Sequence, residues 1–208
     1  MEYVLDVARL GRRNQMIQIL VTNGFMDPRA LKSVLPFLDA ANVDLKSFRK
    51  DFYSQHCGAQ LHPVLQTLHS LKKAGVWLEV TTLIIPGLND SQEQLREIAE
   101  FIASLGPETP WHLSAFHPSY LMTDRPPASL ETLYRAREAG FMSGLRYVYL
   151  ENVSQAEYRH TYCHQCGKKL IDRSSLTGAP VGLHDGKCAH CSQVLPGLGM
   201  KWIDPSTP

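Results

Sequence analysis

Ala40-Ala41-Asn42-Val43-Asp44-Leu45-Lys46 is the stretch whose reading decides the fold. Its apolar part is too short for a helix, and turn-forming residues flank it, so it reads as a buried strand ending in two opposite charges. Parallel strands of α/β folds are apolar on both faces, which makes a charge inside one unexpected. Asp44 and Lys46 share parity and point the same way from a strand. At the carboxyl end of a barrel strand, that direction is the active site. The alternative is a surface ion pair just beyond the strand.

The flanking sequence supplies the rest of an α/β pattern. Residues 2–13 read as an amphipathic helix, an odd start for such a domain because no strand precedes it. Met16–Val21 is a strand with Thr22-Asn23-Gly24 as its turn, and Asp27-Pro28 caps a helix carrying Leu31, Val34, Leu35 and Leu38. After Lys46 comes a polar, aromatic loop, Ser47–Gln60. Leu61–Gly75 then shows helical spacing, with Lys72 and Lys73 in its last turn and Gly75 as C-cap. Val76–Ile85 is rich in β-branched residues and reads as a strand. Pro86–Asp90 is a turn, and Asn89, Asp90 or Ser91 caps a helix running to Leu105. A strand at Trp111–Phe116, a loop at His117–Pro127, a helix at Ala128–Gly140 and a strand at Leu145–Leu150 complete the series. One helix, four βα units and a last strand imply a parallel sheet or an α/β barrel. The pattern stops near Ser154, which divides the chain into an α/β unit at 1–153 and a cysteine-bearing segment at 154–208.

Composition narrows the functions open to this chain. A length of 208 residues allows one sizeable domain plus a small one, and 44% apolar with 20% charged residues is ordinary for a globular protein. The formal net charge of +1 provides no global field for nucleic acid or an anionic membrane. No apolar run is long enough to span a bilayer, and Glu2, Asp6, Arg9, Arg12 and Arg13 break any signal-peptide core. A cytoplasmic protein is expected, and in that compartment paired cysteines suggest a metal rather than disulfides.

Four of the five cysteines form two Cys-x-x-Cys pairs, Cys163/Cys166 and Cys188/Cys191. Two such knuckles make a strong metal signal. Four thiolates around Zn²⁺ form a closed tetrahedral structural site, and rubredoxin-like iron suits the same ligands. Gly167 can take the positive φ of the knuckle turn. His164 and His190, between ligands, are expected to be exposed. So short a ribbon has almost no apolar core, so its folding should depend on the metal. Cys57 stands alone and reads as a buried or inert thiol.

Polar groups also gather where strands give way to loops: Asn23, Asp44, Lys46, Thr81, Thr82 and His117. In a βα barrel these converge on one face. There they could hold a small zwitterion, with Lys46 for a carboxylate, Asp44 for an ammonium or cation, and His117 for a hydroxyl.

Thr22-Asn23-Gly24-Phe25, Asp44-Leu45-Lys46-Ser47-Phe48, Ile85-Pro86-Gly87-Leu88-Asn89-Asp90 and Phe116-His117-Pro118 occur in the order found in radical S-adenosylmethionine enzymes of the pyruvate formate-lyase activating type. With the four-cysteine segment, residues 1–198 resemble the radical enzyme of the AmmeMemoRadiSam system. The resemblance implies a partial (β/α)6 barrel and a [4Fe–4S] cluster that cleaves S-adenosylmethionine to a 5′-deoxyadenosyl radical. It places Asn23, Asp44, Lys46 and His117 around S-adenosylmethionine, and it implies a protein substrate or partner from the same gene system.

The cluster motif of such enzymes, Cys-x3-Cys-x2-Cys, is absent, and no three cysteines of this chain replace it. The glycine-rich and acidic segment that grips the amino group is absent too. The expectation is therefore an incomplete barrel: the C-terminal part of such an enzyme, beginning after its first strands and inactive alone. The competing expectation is a non-catalytic α/β scaffold whose zinc ribbon binds a protein or nucleic acid. Lys168, Lys169, Arg173, Lys187 and Lys201 would favour nucleic acid, but Asp172, Asp185 and Asp204 dilute them.

Overall fold

A computed structural model of the chain describes residues 2–175 and 177–201. The end of the expected cysteine-bearing segment, 202–208 with Asp204, lies outside the described residues. Helix α1 (Glu2–Arg13) precedes a five-stranded parallel sheet of β1 (Ile19–Thr22), β2 (Ala40–Asp44), β3 (Trp77–Ile84), β4 (Trp111–Ala115) and β5 (Val148–Glu151). The strands lie side by side in sequence order. Between them run α2 (Pro28–Val34), α3 (Lys50–His56), α4 (Leu61–Lys73), α5 (Gln92–Leu105) and α6 (Leu130–Met142). This is an α/β sheet of the partial-barrel kind, with β1 at one edge and β5 at the other.

Local chemistry sets several boundaries. Asp27 caps α2 by accepting from the Arg29 and Ala30 amides, and Pro28 opens the helix. Ser91 caps α5 and Ser129 caps α6, each accepting an amide three residues on. Gly24 turns the chain out of β1 at φ 73°; a Cβ there would sit 2.8 Å from the Val43 side chain, so glycine is required. The segment Ser47–Gln60, expected as loop, contains α3. Its seven residues are too few to show helical periodicity, and Phe52 and Tyr53 are buried from it.

Alternation along the strands separates two faces. On β3, Leu78, Val80, Thr82 and Ile84 are buried, while Trp77, Glu79, Thr81 and Leu83 are half-exposed. The buried face packs against the helices through Leu31, Val34, Val64, Leu68, Leu71, Leu95, Ile98, Ile102 and Leu133. Trp111 is fully buried there and donates its indole N–H to the Thr82 hydroxyl at 2.9 Å. The other face is the inside of the half-barrel, and it mixes polar side chains such as Asn42, Glu79 and His112 with apolar ones such as Ile19 and Trp77.

The cysteine-bearing segment forms a small antiparallel sheet of β6 (Thr161–Tyr162), β7 (Lys169–Asp172) and β8 (Ala179–Pro180), and a hairpin of β9 (Leu183–His184) and β10 (Lys187–Cys188). The expectation that it has almost no core of its own needs one addition. Leu170, Ile171, Leu183 and Leu195 pack with Tyr147 and Tyr149 at β5, so the ribbon takes part of its core from the parallel sheet. Among the described residues no helix is long and apolar enough to cross a membrane.

Candidate functional site

Asn23, Asp44, Lys46 and His117 stand at the carboxyl-terminal edge of the sheet, after β1, at the end of β2 and after β4. Asp44 and Lys46 pair at 2.7 Å, each side chain 32% exposed. That places them between the deep site and the free surface pair that parity left open. Among the described residues, hydrogen bonds join no other two of these four. The Asn23 side-chain Oδ1 caps its own turn by accepting from the Phe25 amide, and His117 Nε2 lies 3.2 Å from the Asn152 main-chain carbonyl oxygen.

The backbone beneath the pair is fixed by two buried groups. Asn89, fully buried in the Pro86–Asp90 turn, accepts from the Ile85 amide at 2.7 Å. It donates to the carbonyls of Leu83 at 2.7 Å and Lys46 at 2.6 Å. The Tyr53 hydroxyl accepts from the Lys46 amide at 3.0 Å. Burial pushes the Tyr53 phenol up to about 12, against the lowering effect of that hydrogen bond. From sequence Asn89 is only a possible cap; one of the three backbone groups it fits, the Lys46 carbonyl, lies 43 positions away. Thr82, grouped with the site from sequence, faces the helices instead and donates to the Leu45 carbonyl, whereas Thr81 faces inward. Cys57, expected to be a buried or inert thiol, is exposed; its thiol pKa is raised by desolvation, with Lys46 opposing.

Polar layers fill the inner face below this edge. Thr81 donates to Asn42 at 2.8 Å, and Asn152 donates to the Ser114 hydroxyl at 2.9 Å. His112 bridges two carboxylates, with Nε2 2.7 Å from Glu79 and Nδ1 3.2 Å from Glu151. Burial alone would lower its pKa; the hydrogen bonds and charges of Glu151 and Glu79 outweigh that and push it up to about 9. Glu79 also receives the Trp77 indole N–H at 2.9 Å, and the His112 contacts hold its carboxyl below the ordinary value despite burial. The His112 and Tyr149 rings are 5.2 Å apart, and the Tyr149 hydroxyl meets Thr161 of the ribbon at 3.0 Å. A cavity of about 560 Å³ lies between this inner face and the ribbon, lined by Glu79, His112, Tyr149, Arg173 and Leu195 among others.

The four ribbon thiols converge. All their sulfurs lie within 4.8 Å of one another, with Cys163–Cys191 and Cys166–Cys188 each at 3.6 Å. Four sulfurs held 2.3 Å from one tetrahedral ion are roughly 3.8 Å apart, so this spacing fits a single metal ion. Each knuckle closes through backbone bonds: Gly167 N–H to the Cys163 carbonyl at 2.8 Å, and Ser192 N–H to the Cys188 carbonyl at 2.9 Å. Gly167 sits at φ 70°, and Ser192 takes φ 60° at the matching place in the second knuckle. His164, expected exposed, is half-buried and bonds Tyr147 at 2.9 Å.

No family model matches the chain. It is 42% identical over 195 residues to the uncharacterized protein MJ0808 of Methanocaldococcus jannaschii, an alignment covering 92% of this chain and 58% of that protein. The chain thus spans less than two thirds of that relative's length. It is 26% identical over 104 residues to the 4-hydroxyphenylacetate decarboxylase activating enzyme of Clostridium scatologenes, covering 49% of this chain and 33% of that enzyme. Among solved structures, a domain of pyruvate-formate lyase-activating enzyme from Bacteroides vulgatus superposes with a TM-score of 0.64 at 18% identity, over 73% of this chain and 91% of that one. Streptococcus suis SuiB bound to S-adenosylmethionine superposes at 0.58 with 10% identity, over 77% and 39%. The sheet therefore has the fold of a partial radical S-adenosylmethionine barrel, and the chain has distant homologues among activating enzymes of the pyruvate formate-lyase kind.

Proposed function

We propose that the carboxyl-terminal edge of the sheet binds S-adenosylmethionine, as part of a radical enzyme of the glycyl-radical activating type and, within that type, of the AmmeMemoRadiSam kind. On this reading residues 1–153 are the barrel unit and 154–208 the ribbon unit, which holds one zinc ion, and the radical's target is a protein partner. The Asp44–Lys46 pair carries the reading: two opposite charges, partly open to solvent, at the end of a central parallel strand. The methionyl group is a zwitterion. Lys46 suits its carboxylate, and Asp44 suits its ammonium group or a neighbouring cation. Asn23, after β1, and His117, after β4, add hydrogen-bonding groups at the same edge of the sheet.

The [4Fe–4S] cluster of that chemistry supplies the electron that cleaves S-adenosylmethionine, and the residues present do not fit it. Four of the five cysteines converge on a single-ion site in the ribbon, and Cys57 is the fifth. No step of radical formation is assigned to these side chains; their part is to bind and orient. Calorimetric titration with S-adenosylmethionine tests the proposal. Saturable binding with a Kd below about 1 mM is expected, and its absence would favour the non-catalytic scaffold instead.

A further inference from the structure

A second site lies away from this edge, in the groove between the end of α6 and the first cysteine knuckle. Residues Arg137 and Phe141 are one helical turn apart on α6. The Arg137 guanidinium carbon is 4.6 Å from the Phe141 ring centroid and 5.3 Å from that of Tyr158. Two aromatic rings therefore border the planar group, and neither brings a compensating negative charge. Its Nε is buried and makes no hydrogen bond in the protein. Burial lowers the Arg137 pKa, so the protein carries this charge at a cost.

Several other cations of the chain are paired. Arg12 meets Asp39, Arg49 meets Glu97 and Lys72 meets Glu108. Among the described residues none of the ion pairs uses Arg137 or Arg146. Both line one cavity of about 560 Å³ together with His164, Phe141, Tyr147 and Tyr162, and no carboxylate is among its lining residues. That volume is the size of a small-molecule pocket.

We propose that this groove binds a small phosphate ester, with Arg137 and Arg146 on the phosphoryl group and the aromatic side chains against its organic part. An arginine beside two aromatic rings and outside the ion pairs of the described residues matches the bidentate geometry of a phosphoryl oxygen pair. Two unpaired arginines favour a dianion over a single carboxylate. A chain with a formal net charge of +1 has no global field to draw in a long polyanion, which favours a compact one. The inference stands apart from the S-adenosylmethionine reading, since it uses none of the same residues.

The test titrates the full chain with uridine 5′-monophosphate, uridine, inorganic phosphate and a short uridine RNA, by calorimetry at low salt. Uridine 5′-monophosphate should bind saturably below about 1 mM, and uridine should not. Arg137→Gln should weaken that binding about tenfold or more, and Arg146→Gln about threefold or more. Arg146 is exposed, so its variant keeps the test valid even where Arg137→Gln disturbs packing. Lys46→Ala should leave uridine 5′-monophosphate binding unchanged. Lack of binding by both the nucleotide and inorganic phosphate would overturn the proposal. So would unchanged affinity in both arginine variants, or RNA binding far more tightly than the mononucleotide with a steep salt dependence.

Discussion

The side chain of Asn89 donates a 2.6 Å hydrogen bond to the main-chain carbonyl of Lys46, across 43 positions of sequence. Because Asn89 also holds Ile85 and Leu83, one buried amide ties the end of β2 to the end of β3. Replacing it by alanine leaves the Ile85 amide and two carbonyls without that partner in a dry site. Asn89→Ala should cost about 1–3 kcal/mol of stability in denaturant unfolding. Asn89→Asp should be no better at neutral pH, because a carboxylate cannot donate to the two carbonyls. A loss below about 0.5 kcal/mol for both variants would remove Asn89 as the clamp of this edge.

The His112 network sets a pH dependence. The folded pKa of His112 is pushed up to about 9, above its ordinary value of 6.5. Its contribution is therefore full below pH 6.5 and is lost as the pH rises through about 9. Glu79 is shifted the other way, so its share is present above its ordinary value of 4.5 and lost in more acid solution. Unfolding free energy should decline between pH 6.5 and 9 by about 1–3 kcal/mol, and His112→Gln should flatten that slope. An equal slope in the two proteins would contradict the arrangement.

The ribbon should depend on its ion. Purified protein is expected to carry about one zinc per chain. Strong chelation should free the four thiols for titration and change the near-ultraviolet signal of Tyr147 and Tyr149, which share the ribbon's core. Thiols that titrate freely in the native protein, or substoichiometric metal, would contradict the single-ion site.

The β1 edge exposes apolar side chains to water: Ile17 is 47%, Ile19 63% and Val21 78% exposed. An open strand edge beside such a surface promotes association. Self-association in light scattering is expected to fall in Val21→Lys. A wild-type chain that stays monodisperse at high concentration would count against this edge being adhesive.

Much of this fold was legible in sequence, because period and punctuation were both strong. The β-branched run at Val76–Ile85, the Asp27-Pro28 cap and the paired knuckles each carried a local signal. What sequence missed depends on which face a residue takes, or on a distant partner. Thr81 and Thr82 are adjacent in sequence, and only the sheet's parity sends one inward and the other to Trp111. The Glu79–His112–Glu151 bridge joins three strands on the diagonal, each contact two positions off the direct partners Thr81↔His112 and Ser114↔Glu151, and none of the three residues is marked by its neighbours. Helix α3 was hidden by its shortness, and the ribbon's core by its borrowing of Tyr149 from β5 and Tyr147 from just before it.

The central claim is that Lys46 holds the carboxylate of S-adenosylmethionine. Its most direct test is calorimetric titration of S-adenosylmethionine into the wild type and Lys46→Ala, with thermal unfolding of both as the control for folding. The account predicts saturable binding by the wild type, weakened about 10- to 100-fold in Lys46→Ala, the effect of losing a charge-assisted hydrogen bond of about 1.5–3 kcal/mol. It also predicts a stability change of at most about 1 kcal/mol, because the pair is partly exposed. Equal affinities in the two proteins would contradict it and leave Asp44 and Lys46 as a surface ion pair at the end of β2.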